Sequence, residues 1–180
     1  VGSEMCIRDS YDSLPVLTFN FLSFLSDFLK LTKFRLAVSV VFSSVAGYLL
    51  AVDQIDMSIL LGLFFGGFAM VGASNAFNQW IEKDKDALMI RTMDRPLPAG
   101  RMNNLTALAI ASLLTLAGIY ILNNINFKTA LFGSLSIFMY TCIYTPLKSL
   151  TPLSVFVGAF PGAIPFMLGW VAATGSFGIC

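Results

Sequence analysis

The sequence predicts an all-α protein, a multi-span bundle of transmembrane helices, and three observations carry that prediction. First, 57% of its 180 residues are hydrophobic and 12% are charged, with a mean hydropathy of +0.80. A soluble domain of this length would lack the polar surface it needs. Second, five apolar segments approach the roughly 20 helical residues needed to cross a hydrocarbon core of about 30 Å. Third, the strand alternation of a barrel is missing from these runs, and a continuous apolar run satisfies its own backbone in lipid only as a helix.

In chain order, residues 1–10 (VGSEMCIRDS) contain no apolar core of a signal sequence and read as a non-native leader outside the fold. Residues 11–33 form an N-terminal interfacial segment. Its stretch 14–29 is apolar but carries Ser23, Ser26 and Asp27, which suits a helix lying at the membrane surface better than one crossing it. The spans follow at 34–52, 58–80, 104–122, 129–144 and 153–174, the fourth being the shortest. Gly62 and Gly66 in the second, and Gly158 and Gly162 in the fifth, have the spacing of close helix packing. Pro161 and Pro165 should kink or locally break the fifth span and open a cavity there. No repeat and no low-complexity linker divides residues 34–180, which read as one transmembrane domain, incomplete because the sequence stops just after a span.

The basic residues fix an orientation. Lys30, Lys33, Arg35, Lys83, Lys85, Arg91, Arg95, Arg101 and Lys148 fall on one side of the five spans, against Lys128 on the other. The positive-inside rule therefore places the N-terminus and the loop after the second span in the cytoplasm, for a protein of the bacterial inner membrane, or in the matrix of an organelle. These cations are spread over loops and form no basic face, which excludes a nucleic-acid role. Cys6, Cys142 and Cys180 are too far apart, and too few, for a disulfide framework or a thiolate metal site. Histidine is absent, so no imidazole of this sequence acts as a base or haem ligand.

The chemistry gathers where the second span meets water. Asn78, Glu82 and Asp86 recur every four residues. On a helix they stay within about 80° of one another, with roughly 6 Å between successive positions. A lone juxtamembrane acid is ordinarily solvated, and Asp84, on another face, fits that description. Three polar side chains on one stripe can instead hold a divalent cation, because Mg2+ takes one or two carboxylates and completes its shell with phosphate oxygens and water. Lys85 lies near the stripe by angle, as a counter-ion or as a snorkelling side chain. Arg91 and Arg95 follow at the same spacing before Pro96 and Pro98 forbid further regular helix. Alone they would be membrane anchors. Beside the acids, their guanidinium forks suit a phosphorylated ligand. Tyr144 and Lys148, with Pro146 between them, repeat that logic, though Tyr144 alone would read as an interfacial anchor.

In this pattern the chain resembles the intramembrane aromatic prenyltransferases of the UbiA-type superfamily. Asn78-x3-Glu82-x3-Asp86 is similar to their first acidic motif, with glutamate where aspartate is usual, and Tyr144-x3-Lys148 is similar to their YxxxK motif. Within the superfamily it most resembles the branch that farnesylates haem. That likeness is carried by Asn78-Gln79, Asp86-Ala87-Leu88-Met89, Arg91-Thr92, Arg95-Pro96-Leu97, Gly100-Arg101, Tyr144-Thr145, Leu147-Lys148, Gly162-Ala163-x-Pro165 and Gly169-Trp170. Lys33-Phe34-Arg35 stands where many relatives have Lys-Pro-Arg, and Phe166 replaces a second proline.

The resemblance implies a nine-span fold, of which five spans and one of two acidic motifs lie here. It implies Mg2+ on Glu82, Asp86 and Asn78. Catalysis would fall to Asn78, Glu82, Asp86, Arg91 and Arg95, and substrate contacts to Arg91, Arg95, Tyr144, Lys148, Lys33 and Arg35. The reaction implied is transfer of a farnesyl group from farnesyl diphosphate to a vinyl group of protohaem IX within the lipid bilayer, giving haem O, with terminal oxidase assembly factors as further partners. Arg95 serves either the diphosphate or a haem propionate. Another aromatic acceptor such as 4-hydroxybenzoate would keep the diphosphate motif. A transporter would place its carboxylates near mid-membrane, whereas Glu82 and Asp86 stand at the end of a span.

Overall fold

The computed structural model describes residues 21–148 and 150–176, and among these every regular element is helical. Residues 1–20, which include the leader expected at 1–10 and the first part of the segment 11–33, lie outside the described residues. The elements are α1 (Phe21–Thr32), α2 (Phe34–Leu49), α3 (Met57–Ala87), α4 (Asn104–Ile125), α5 (Phe127–Phe138), a π-helical turn (Met139–Tyr144) leading into the short α6 (Thr145–Leu147), and α7 (Ser154–Thr174).

Four helical stretches are long and apolar enough to cross a membrane: Met57–Ala87, Asn104–Ile125, Phe127–Leu147 and Ser154–Thr174. The protein is therefore an integral membrane protein. The first expected span is shorter than its apolar run suggests. α2 has 16 residues and ends at Leu49, followed by a turn. That turn forms because the Tyr48 hydroxyl, fully buried, accepts a hydrogen bond from the Asp56 N–H at 2.9 Å and draws the chain back toward α3. Asp56 then caps α3 by accepting from the Ser58 N–H at 2.8 Å. The helix of the second expected span continues past its apolar run through the acid stripe and ends at Ala87. α3 runs 31 residues, about 46 Å at 1.5 Å per residue, so its last turns project beyond the hydrocarbon.

α3 is the hub, packed on α4 and α2, while α2 packs along α7. One apolar core, with Tyr48, Leu63, Met70, Leu122, Ile137 and Leu168, joins α2, α3, α4, α5 and α7. A second, with Leu31, Ala76, Leu97, Met102, Ala107 and Ala111, seats α1 and the α3–α4 loop on the end of the bundle that carries the acids. Gly66 and Gly62 do admit a neighbour, the side chains of Leu122 and Ile125 on α4. The second glycine pair behaves differently. Gly158 accommodates the ring of Tyr144, whereas a Cβ on Gly162 would meet nothing within 4 Å. α7 is also unbroken, helical from Ser154 to Thr174 with both prolines inside. Each proline removes one backbone bond, but lipid supplies no water to the groups a broken helix would expose, so the helix persists. The cavity expected beside it is present.

Candidate active site

The last turns of α3 build one wall of the site. Asn78, Glu82 and Asp86 are 2%, 9% and 5% exposed, whereas Asp84 is exposed, as their helical spacing requires. After α3 the chain folds back in tight turns. Thr92, buried, donates its hydroxyl to the Asp86 carbonyl at 2.9 Å, beside the Met89 N–H at 3.3 Å, which closes the helix end and sets the direction of the loop. Arg95 is thereby brought into an ion pair with Asp86. Further along, Arg101 donates to Asp27 on α1 at 3.1 Å and ties the loop to the N-terminal helix.

The facing wall is the π turn together with α6 and Lys148 at its end. Tyr140 and Tyr144 stack with ring centroids 5.2 Å apart. Lys148 reaches both oxygens of Glu82 at 3.4 Å. π turns insert an extra residue into a helix and are frequent at functional sites. Here the turn sets two aromatic rings and Lys148 toward the acids.

The third wall is the junction of α1 and α2. Lys33 adopts a left-handed conformation, φ 49°, which breaks the two helices apart. The carbonyls exposed by the end of α1 are met by side-chain amides from α3. Gln79 donates to the Lys30 and Leu31 oxygens at 2.9 and 2.8 Å, and Asn75 donates to the Thr32 oxygen at 3.1 Å. Gln79 is fully buried, so replacing it by leucine should leave the buried Leu31 carbonyl unpaired, while the Lys30 carbonyl keeps the Lys33 N–H at 3.4 Å, and cost about 2 kcal/mol. Thermal unfolding in detergent measures this, and an unchanged midpoint would show that the amide does not hold the junction.

Between these walls lies a cavity of about 190 Å3 that gathers Lys33, Asn78, Glu82, Asp86, Arg91, Arg95, Tyr144 and Lys148. Thus all the site residues expected from the sequence meet there, except Arg35. Arg35 is exposed and lines a groove between α1 and α2 with Lys30 and with Lys33, which the groove shares with the cavity. The left-handed break at Lys33 leaves Arg35 in the first turn of α2, outside the cavity. Lys85 also lines the cavity. With five cations against two carboxylates, the cavity carries a formal excess of three positive charges. Burial lowers the pKa of Lys33, and Arg95 and Lys148 push it the same way against Glu82 and Asp86. An anion entering the cavity would relieve that repulsion.

Sequence reasoning missed Tyr140 and Asn75, and it met Gln79, Thr92 and Thr145 only as part of the family likeness, without a role in the site. For Asn75 the signal available was its polarity within an apolar span. Asn78 is held by Thr145, its Nδ2 donating to the Thr145 hydroxyl oxygen at 3.0 Å. Among the described residues no cluster of three or more His, Cys, Asp or Glu side chains could hold a metal. Two carboxylates and an amide oxygen nonetheless fit a cation that completes its shell with phosphate oxygens and water, as Mg2+ does.

A second cavity, about 510 Å3, adjoins the first and shares Tyr140 and Tyr144 with it. Leu36, Val40, Val71, Val155, Pro161 and Pro165 make most of its wall apolar, and Gly158 and Gly162 open its α7 side. Its size falls in the range of roughly 300–1,000 Å3 usual for ligand sites. A charged chamber joined through two aromatic rings to an apolar one suits an amphipathic ligand with an anionic head.

The chain resembles several proteins named protoheme IX farnesyltransferase. It is 66% identical to that of Christiangramia forsetii over 157 residues, covering 87% of this chain and 52% of the relative. It is 61% identical to that of Flavobacterium johnsoniae over 165 residues, covering 90% and 55%. The human mitochondrial protein of that name is 39% identical over 148 residues, covering 82% and 33%. The chain thus spans about half the length of its bacterial relatives. A solved structure described as digeranylgeranylglyceryl phosphate synthase in membranes shares the fold, with a TM-score of 0.77 at 22% identity over 83% of this chain and 53% of that one. The model of the UbiA prenyltransferase family matches residues 40–179, and by that match the protein belongs to the UbiA prenyltransferase family.

Proposed function

We propose that this chain supplies the first acidic motif and the prenyl pocket of an enzyme that transfers the farnesyl group of farnesyl diphosphate to a vinyl group of protohaem IX, giving haem O. The observation that carries the reading is the pair of adjoining cavities, one cationic and one apolar, with Tyr140 and Tyr144 at their boundary. The names of the relatives support haem as the acceptor. The membrane would be the bacterial inner membrane, with the Glu82 end of α3 on the cytoplasmic face, and terminal oxidase assembly factors would receive the product.

In this reading the diphosphate lies among Lys33, Arg91, Arg95 and Lys148. Mg2+ bound by Glu82, Asp86 and the oxygen of Asn78 would supply further positive charge against the diphosphate. Lys148 and Arg95, which pair with the two carboxylates in the free protein, turn to the phosphate oxygens. There they stabilise the charge that grows as the C1–O bond breaks and its electron pair leaves with the diphosphate. The allylic cation left behind sits beside the stacked tyrosines, whose faces favour positive charge, and the apolar walls keep water from it. The vinyl π electrons form the new carbon–carbon bond. Water adds to the resulting cation and loses a proton, so the product carries a hydroxyl group.

The test is direct: full-length protein, Mg2+, farnesyl diphosphate and haem B, with products separated by chromatography and weighed by mass spectrometry. A haem product heavier by a farnesyl group and a hydroxyl group is expected. No haem product, with prenylation of 4-hydroxybenzoate instead, would move the protein to another acceptor.

The cavity also predicts chain-length control. Leucine at Gly162, where open space now lies, should shorten the pocket and lower kcat/KM for farnesyl diphosphate about tenfold while sparing geranyl diphosphate. Equal loss with both donors would place the chain elsewhere.

A further inference from the structure

The orientation of the Asn78 amide is decided by a residue outside the acidic motif. An asparagine side chain can turn either end toward a neighbour, because its terminal torsion has two broad minima. In a cavity lined by both carboxylates and cations each end would find a partner, the nitrogen on Glu82 or Asp86, the oxygen on a lysine or arginine. Only the oxygen can ligate a metal or accept from a cation.

Thr145 removes that choice. Its hydroxyl lies 2.7 Å from the carbonyl oxygen of Tyr140. A carbonyl only accepts, so the single hydroxyl proton is committed there. Toward Asn78, 3.0 Å away, Thr145 therefore offers only a lone pair, and Asn78 must answer with its Nδ2. The Oδ1 then stands at the other end of the planar amide. Both residues are buried, at 1% and 2% exposure, so water does not compete for the bond. The π turn makes the arrangement possible, since the Tyr140 carbonyl also accepts the backbone N–H of Thr145 five residues on. Thr145 lies between Tyr144 and Lys148, so the same hydrogen bond fastens the wall that carries those two residues to α3.

We propose that Thr145 is a positioning residue that fixes the Oδ1 of Asn78 toward the metal and diphosphate site. This rests on the prenyl diphosphate reading above. Groups that orient a metal ligand without touching the metal typically change its affinity by 10- to 100-fold when removed.

The experiment uses Mn2+ as the probe, titrated by electron paramagnetic resonance into full-length protein with the unreactive analogue farnesyl thiolodiphosphate. Thr145→Val keeps the shape and removes the oxygen, and Thr145→Ser keeps the oxygen. Valine should weaken Mn2+ binding at least tenfold and serine less than twofold. In an Asn78→Ala background the valine substitution should cost nothing further, because there is no amide left to orient. Valine within twofold of wild type overturns the proposal, as does an equal loss from valine with or without Asn78, which would mark a general packing defect. Wild-type protein that binds no Mn2+ with the analogue removes the prenyl diphosphate reading, and this proposal with it.

Discussion

Alanine in place of Glu82 or Asp86 is expected to lower prenyl transfer by the full-length protein by 100-fold to about 1,000-fold, the loss typical when a group that stabilises developing charge is removed. The expectation comes from burial and charge together. Each carboxylate is at most 9% exposed in a cavity whose other charged residues are all cations, so neither is a solvated surface acid. Each also holds a cation in register, Lys148 on Glu82 and Arg95 on Asp86. Removing a carboxylate would therefore cost a metal ligand and misplace a diphosphate contact. Asp84 is the internal control. It lies exposed on the same helix, and Asp84→Ala should turn over within about twofold of wild type. Steady-state kinetics at saturating Mg2+, with folding checked by the melting profile, distinguish these outcomes. Near-wild-type rates for Glu82→Ala and Asp86→Ala would remove both residues from the mechanism.

The largest structural effect is expected from Gly169→Ala. A Cβ there would overlap the Ser44 carbonyl oxygen and stand 2.7 Å from the Tyr48 backbone nitrogen. One helix over, a Cβ on Gly47 would overlap the Phe166 carbonyl oxygen. α2 and α7 thus cross backbone to backbone at two glycines, and no flexible side chain is available to yield. Forcing them apart should cost about 3 kcal/mol and lower the melting temperature by roughly 10 °C. The same one-carbon change at Gly162, where nothing lies within 4 Å, should leave it within about 2 °C. Equal melting of the two variants would contradict the packing described.

Those two glycines show where sequence reading stops. The GxxxG spacing of Gly62 and Gly66 was legible because both partners in the motif lie on one helix, and they do pack against α4. Gly47 and Gly169 belong to helices more than a hundred residues apart, and no local period links them. The acid stripe was legible for the same local reason: a four-residue spacing on a helix fixes which side chains share a face before any tertiary contact exists. Its partners were not. The π turn displaces Tyr140, Tyr144 and Thr145 from α-helical register, and Asn75 and Gln79 find their carbonyls 43 to 49 residues away. The helix was legible through the acid stripe, but it ends at Ala87, before Arg91 and Arg95, whose matching four-residue spacing suggested that it ran on toward Pro96. Arg35 was grouped with Lys33 through the family likeness, but the left-handed turn at Lys33 leaves it outside the cavity.

The central claim is that one ligand spans the two cavities, its diphosphate among the cations and its chain along α7. A photoreactive farnesyl diphosphate, carrying a diazirine at the end of the chain, tests this most directly. After irradiation of the full-length protein in membranes and peptide mapping, label should fall on α2, α5 or α7 residues of the apolar cavity, such as Val40, Ser136, Val155 or Pro165, and excess farnesyl diphosphate should abolish it. Label in the α1–α2 groove near Leu25 and Arg35, or label that farnesyl diphosphate does not displace, would contradict the account.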